Sequence, residues 1–545
     1  MAVHIPGLVS VVVFYVCILA IGVWGSRKSK KVEKKCTGTK SEISIVGGRN
    51  INVLVGIFTM TATWVGGGYI MGTAEAVYSP SQGLLWALGL PAYAISFFLG
   101  GLFFAKPMRS KRYVTMLDPF QNRYGKAFTA TLLLPALVSD ILWVACILAA
   151  LGGTMSIILG LSSTISIIIS AAVSILYTFL GGLYSVAYTD IIQLCFIFVS
   201  LWLCVPFLVL SPAVTVISQT PAFNQSQENA WLGHLELTDA GRWVDQLLLL
   251  ALGGLSYQAL YQRVLSAASS AQAQITCYAA AGTVFIMGIP SVIIGVMAAS
   301  ADWNQTAYGS PPPFERGDAG KILPLALQHL TPTWVGVLGI GSVAAAVMSS
   351  MDSALLSSAS LFTQNIYKTI FRKHASEREL QWVIRVSVLL VGLAGTGLAF
   401  GDDSVAALWI LSGDLIYVAI FPQLVCVLHF QWVNSYGAIC GFVVGLLLRG
   451  LSGEPALGIP TVLRYPGWKE ENDVIVQNFP YRTVAMLSSL TCITAVSWLV
   501  NLIFHHQLLP QSWDLLKAIN MKNETKVEEM PDTSDEMEYA LNTKL

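Results

Sequence analysis

Charge is scarce in this chain. Only 11% of its 545 residues are Asp, Glu, Lys or Arg, against roughly a quarter in a soluble domain, and 54% are hydrophobic. The two signs balance at 31 basic and 31 acidic residues, so net charge points to no partner, and no nucleic acid is expected. Metal and redox signatures are missing too. None of the nine cysteines forms a CxxC pair; Cys36 sits in a basic loop, and Cys17, Cys146, Cys195, Cys204, Cys277, Cys426, Cys440 and Cys492 lie in apolar runs where packing is their role. No nucleophile–base pair or metal cluster appears, so neither an enzymatic reaction nor a cofactor is expected.

What the chain has in abundance is apolar length. Runs of about 20 apolar residues, enough for a helix to cross a bilayer, recur throughout. We read spans near 7–26, 50–78, 82–105, 127–153, 162–180, 187–210, 242–262, 272–299, 330–365, 381–400, 405–428, 434–450 and 481–504. The first lacks a basic leader and a small-residue cleavage site, so it reads as a retained helix. Basic clusters set the orientation. "RKSKKVEKK" follows span 1, "KPMRSKR" span 3 and "YKTIFRKHASER" span 9, all odd-numbered. The positive-inside bias then places those loops and the C-terminus in the cytoplasm and the N-terminus outside. The sequon at Asn304 falls in an external loop and is the expected glycosylation site. A second sequon, at Asn224, is also external; a third, at Asn523, lies in a polar, acidic tail expected to be disordered.

Span 2 carries three consecutive glycines, Gly66, Gly67 and Gly68, in a segment that must hide its backbone from lipid. Span 7 carries Gly253 and Gly254. Each opens a unit of five spans, 2–6 and 7–11. Because five is odd, the second unit starts on the opposite side of the membrane, which is the arithmetic of an inverted repeat. A lone glycine pair is explained by close helix packing. Two interruptions in matching positions point instead to unwound helices around a transport site at mid-membrane.

Span 9 reads "AAAVMSSMDSALLSSASLF", in which Ala346, Ser349 and Ser350 share one helical face. Hydroxyls and free carbonyls are hard oxygen ligands suited to a hard cation. The same stripe can serve as glue between helices. It gains force if it faces the span 2 break, which would expose carbonyls at Ala62 and Val65.

These features, with "TMTATWVGGGY", "GTAEAVY", "GGLFFAKPMRS", "YVTMLDPFQ", "GGLYSVAYTD", "ADWNQTAYG" and "AVMSSMDS", make the chain resemble the sodium/solute symporter family over nearly all of its first 505 residues. Within the family it looks most like the high-affinity choline transporters. The resemblance implies an all-α polytopic protein with a LeuT-type 5+5 inverted-repeat core and about 13 transmembrane helices. Residues 1–47 would form an extra helix and basic cytoplasmic loop, and 48–430 the transport core, with repeats at 48–210 and 240–430. Two added helices would occupy 431–504 and a cytoplasmic tail 505–545.

The implied activity is sodium-coupled, chloride-dependent uptake of choline across the plasma membrane. The implied sodium ligands are Ala62, Val65, Ala346, Ser349 and Ser350, with Asp352 beside them. A quaternary ammonium has no N–H to donate, so aromatic faces must hold it by cation–π attraction. The implied cage is Trp64, Tyr93, Trp143, Tyr257 and Trp409; each is also readable as an ordinary membrane aromatic. The chain departs from the choline-carrier pattern in three places: Tyr257 stands where those carriers have tryptophan, Met71 where they have asparagine, and the stretch "YSPSQGLLWALGLPAYA" differs from the family's usual form. Alternatives are a symporter for another organic cation or a betaine-like zwitterion, or a transporter-like sensor or leak channel. Among the acids within spans, Asp140 shares a face with Trp143 and could add negative potential to the cage or hold it through a hydrogen bond. Glu75 and Asp190 read as solvated or structurally paired near span ends, and Asp414 as either a salt-bridge partner or an ion contact.

Overall fold

The computed structural model describes residues 39–516 apart from 81, 160–161, 181–182, 215–230, 402–404, 455–457 and 472–473, together with scattered positions between 13 and 27. Most of span 1, the sequons at Asn224 and Asn523, and the end of the acidic tail lie outside the described residues.

Span 2 is two helices, α1 (Val53–Trp64) and α2 (Gly67–Tyr78), bent by 52°. Asn52 caps the start of α1 by accepting from the Val55 amide at 2.9 Å, satisfying a donor that a helix N-terminus leaves free. The next helices are α3 (Gly89–Leu99), α4 (Asp118–Leu159), α5 (Ser163–Leu180) and α6 (Leu183–Val209).

The second unit opens with α7 (Ala240–Leu248), a π turn at Leu249–Gly253, a 3-10 turn at Gly254–Ser256, and α8 (Gln258–Ser266). It continues through α9 (Ser270–Ala299), α10 (Ile322–His329), α11 (Thr333–Leu361), α12 (Glu377–Leu398), α13 (Val405–Ala419) and α14 (Phe421–His429). Two further helices follow, α15 (Ser435–Leu451) and α16 (Tyr481–His505).

Among the described residues, seven helical segments are long and apolar enough to cross a bilayer, and the α1–α2 and α13–α14 pairs each qualify as one bent span. The helices α5 and α15 and the α7–α8 pair fill the other expected positions from span 2 onward. A feature that the helical pattern did not show is a short antiparallel hairpin, β1 (Lys469–Glu471) with β2 (Val474–Val476), in the loop before α16.

The core is organised around α11. Its most apolar window is 83% buried, whereas that of α16 is 22% buried and faces outward. The helix packs against α4, α6, α12 and α1, so its hydroxyl stripe has no lipid to face. That placement excludes a lipid-exposed role for Ser349 and Ser350, both fully buried.

Asp414 on α13 resolves as a salt-bridge residue. It binds Arg449 of α15 at 2.5 Å and Arg482 of α16 at 3.0 Å. Arg449 also meets Glu454 at 2.6 Å, and Arg482 meets Asp245 of α7 at 3.6 Å. The amide and hydroxyl of Thr483 both donate to Asp245 at 2.7 Å. The two outer helices are thereby tied to the broken helices of the second unit. A charge buried at this depth is tolerated only when paired, and removing one partner strands the other. Asp414→Asn keeps an acceptor but loses the charge. It is expected to cost on the order of 2 kcal/mol, read as a lower melting temperature in detergent.

Candidate substrate and sodium sites

The first break is sharp. Trp64 ends α1, Val65 leaves the helix at φ −79°, ψ 66°, and Gly66 is extended at φ −108°, ψ −174°. None of the three glycines has the left-handed backbone that only glycine tolerates well. Their value is closeness. A Cβ on Gly66 would overlap the Ser350 hydroxyl and lie 2.7 Å from its Cβ. One on Gly67 would meet Ala150 Cβ at 2.7 Å and Val347 at 2.9 Å, and one on Gly68 would meet Cys146 Sγ at 2.9 Å. The absent side chains let the break press against α11 and α4.

The second break is built differently. Gly253 and Gly254 keep helix-like angles within the π and 3-10 turns, and the chain becomes extended three residues later, at Tyr257 (φ −86°, ψ 134°). Gly254 again serves closeness: a Cβ there would come within 2.7 Å of Ser96 Oγ. The interruption thus displays an aromatic side chain at the point where the helix opens.

The stripe on α11 faces the first break. Ser349 Oγ donates to the Ala62 carbonyl at 2.9 Å and lies 3.0 Å from the Ala346 carbonyl. Ser350 Oγ donates to the carbonyl of Thr63 at 2.8 Å, two residues before Val65. Ala62, Ala346, Ser349 and Ser350 therefore converge as one patch of oxygen donors. Sequence reasoning missed Thr63 and Ser353, whose hydroxyls lie 3.0 Å apart. The signal available was the run of threonines at every second position, Thr59, Thr61 and Thr63, just before the break.

Asp352 lies on an adjoining face. It accepts from Thr178 of α5 at 2.6 Å, while Arg263 of α8 meets Ser353 at 2.5 Å and Asp190 of α6 at 3.8 Å. This charged set adjoins the stripe through Ser353, which donates to the Ser349 carbonyl at 3.0 Å.

The five cage candidates form one connected cluster. The ring centroids of Trp64, Trp143 and Tyr257 make a triangle with sides of 6.1, 5.1 and 6.5 Å. A cation seated over such a triangle lies within the roughly 6 Å reach of cation–π attraction to all three rings. Tyr93 joins through Trp64 at 6.5 Å and through Trp409 at 5.5 Å. Trp409 Nε1 donates to the Tyr93 hydroxyl at 2.6 Å, which draws this helix-end tryptophan into the interior.

Two more aromatics belong to the group. Phe97 backs Trp64 at 5.2 Å, and Tyr69 stacks on Tyr93 at 5.4 Å with its hydroxyl on the Val284 carbonyl. Tyr69 directly follows the glycines, which was its visible signal. Asp140 accepts from Ser358 at 2.7 Å, three residues before Trp143 and behind the cage wall.

Met71 is placed elsewhere. Its sulfur lies 3.6 Å from the Thr154 hydroxyl, and it lines a separate cleft with Ser163, Lys321 and Val405. Lys321 donates to Asp318 at 3.1 Å, and Tyr308 donates to the same carboxylate at 2.9 Å. Burial and that carboxylate push the Tyr308 hydroxyl up to about 12. Asn304 is exposed on a short turn nearby, Trp303–Gln305.

The profile of the sodium:solute symporter family matches residues 44–445. The chain belongs to this family. Among the curated relatives of this symporter, the high affinity choline transporter 1 of Homo sapiens is 48% identical over 520 residues, covering 95% of this chain and 89% of that protein. The high-affinity choline transporter 1 of Torpedo marmorata is 48% identical over 532 residues, covering 97% and 91%. The sodium/proline symporter of Escherichia coli is more distant, 26% identical over 477 residues, covering 82% and 88%.

A solved structure of a Na+-coupled sialic acid symporter superposes with a TM-score of 0.72 at 18% identity, covering 91% of this chain and 97% of that one. The fold is therefore the LeuT-type inverted-repeat core expected from the two five-span units. This symporter is a multi-pass membrane transporter and not an enzyme.

Proposed function

We propose that this chain carries choline across the plasma membrane together with sodium, by alternating access, with its N-terminus outside and its C-terminus in the cytoplasm. The observation that carries the reading is the adjacency of two sites at one helix break. The carbonyls of Ala62 and Thr63 turn toward Ser349 and Ser350, and the next residue, Trp64, turns into the aromatic triangle. Sodium, a hard ion, suits the oxygen patch of Ala62, Val65, Ala346, Ser349 and Ser350, with Asp352 beside it. A trimethylammonium head, which cannot donate a hydrogen bond, suits the faces of Trp64, Tyr93, Trp143, Tyr257 and Trp409. The names of the 48% identical relatives support the same substrate.

Coupling follows from sharing the break. Sodium holds the carbonyl end of α1 against α11, and that contact fixes the direction in which Trp64 enters the cage. Each ligand then favours the arrangement that the other needs, which is a positive coupling free energy. Asp140, three residues before Trp143, either adds negative potential behind the cage or holds it through a hydrogen bond. Chloride dependence is part of this reading, and glycosylation at the exposed Asn304 accords with an external loop.

The test is uptake of labelled choline by cells or vesicles bearing the protein. Saturable accumulation that disappears when sodium is replaced by an organic cation is the expected result. Uptake insensitive to sodium would overturn the symport reading, and current without accumulation would favour a channel.

A further inference from the structure

The cage has a polar pole, and its hydrogen-bond polarity is fixed. Ser412 of α13 has one hydroxyl hydrogen, and it donates to the Trp409 carbonyl at 2.7 Å. Ser139 of α4, also beside the Tyr257 hydroxyl, spends its hydrogen on the Ser412 carbonyl. The 3.2 Å contact between Tyr257 and Ser412 must then use the tyrosine's own hydrogen, with Ser412 Oγ accepting. The chain of donors runs from Tyr257 to Ser412 to the Trp409 carbonyl. At its head the Tyr257 oxygen has no hydrogen left and presents only lone pairs. Tyr257 is also the one cage aromatic that is only half-buried, whereas Trp64, Tyr93, Trp143 and Trp409 are buried.

Tyr93 has the complementary property. Its oxygen accepts from Trp409 Nε1 at 2.6 Å, so its own hydrogen remains available to donate. An alcohol, both donor and acceptor, matches both tyrosines. A carboxylate, which only accepts, could take the Tyr93 hydrogen but would be repelled by the Tyr257 lone pairs, and an alkyl tail would leave those lone pairs without a donor.

We propose that Tyr257, with its hydrogen committed to Ser412, is the specificity-determining residue of this symporter, selecting quaternary ammonium substrates that carry a hydroxyl over those that carry a carboxylate or none. The proposal rests on the transport reading above. It separates choline from betaine by a mechanism other than the ring faces, which both substrates satisfy equally.

Three compounds test it: choline, its deoxy analogue ethyltrimethylammonium, and glycine betaine. Each competes with labelled choline for sodium-dependent uptake, and ratios are taken within one variant so that expression level cancels. In the unmodified protein choline should compete about tenfold better than the deoxy analogue, the effect of one hydrogen bond. Tyr257→Phe keeps the ring and removes the oxygen, and should bring the two within about twofold. Ser412→Ala removes the acceptor, frees the Tyr257 hydrogen and should improve inhibition by betaine severalfold.

Retention of the choline preference in Tyr257→Phe would overturn the proposal, as would equal competition by all three compounds in the unmodified protein. If Tyr257→Phe fails to reach the surface, the betaine gain in Ser412→Ala carries the decision alone, and its absence counts against the proposal. Absence of choline uptake in the unmodified protein would instead sink the transport reading itself.

Discussion

Gly66→Ala is expected to abolish sodium-coupled uptake. The added methyl would overlap Ser350 Oγ and press on Ser350 Cβ at 2.7 Å. Ser350 is fully buried on a helix whose most apolar window is 83% buried, so it has little room to move aside. Either its hydroxyl leaves the Thr63 carbonyl, or α2 moves away from α11. The first leaves a buried acceptor unpaired, at about 1–3 kcal/mol. The second opens the contact on which the break depends, and overpacking of a dense core costs a similar amount again. Both outcomes dismantle the oxygen patch. A matched control exists in Gly282, on α9, where an added Cβ would meet nothing within 4 Å. Gly282→Ala should transport normally. The readout is uptake per molecule at the cell surface, and normal uptake by Gly66→Ala would show that the closeness at the break is dispensable.

That expectation could not have been reached from the residue pattern alone, and the reason is instructive. Three glycines in an apolar run signal that a helix is weak there, because glycine is a poor helix former and unwound backbone needs protein around it. The pattern located the break correctly. It did not distinguish a glycine needed for its backbone from one needed for its missing side chain. That difference is tertiary, set by Ser350, Ala150 and Cys146 approaching from helices far away in sequence. The second unit makes the same point. Gly253 and Gly254 drew attention to the region, yet the extended residue is Tyr257, since a π turn followed by a 3-10 turn delays the exit from the helix.

The hydroxyl stripe was legible because Ala346, Ser349 and Ser350 share a face within one helix. Which carbonyls the serines themselves would bond was not legible: Ser349 reaches Ala62 and Ser350 reaches Thr63. A break of two residues turns successive carbonyls in different directions, and sequence spacing does not encode that turn. Asp414 was the least legible of all. Its partners Arg449 and Arg482 lie 35 and 68 positions away, on helices that carry no part of the transport core. The hairpin at Lys469–Glu471 and Val474–Val476 was missed because strands of three residues are too short for alternation to register.

The sharpest test of the paired sites sets two substitutions against each other. Trp143→Ala removes one face of the aromatic triangle and leaves every oxygen near Ser349 in place. Loss of a desolvated cation–π partner, worth about 2 kcal/mol, predicts a rise of roughly thirtyfold in the choline concentration for half-maximal uptake. The sodium requirement at saturating choline should change little. Ser349→Ala does the reverse. It removes the hydroxyl that bridges the Ala62 and Ala346 carbonyls, at 2.9 and 3.0 Å, and touches no ring. Losing one oxygen from a hard-cation site should raise the sodium concentration for half-maximal uptake at least about tenfold, roughly 1.4 kcal/mol. The proposed coupling through Trp64 predicts that each variant also shifts the other ligand's apparent affinity, but by less than its own. Equal shifts of both ligands in both variants would mean that these residues support the fold rather than two separate sites. Opposite dominance is what separate sites sharing one broken helix require.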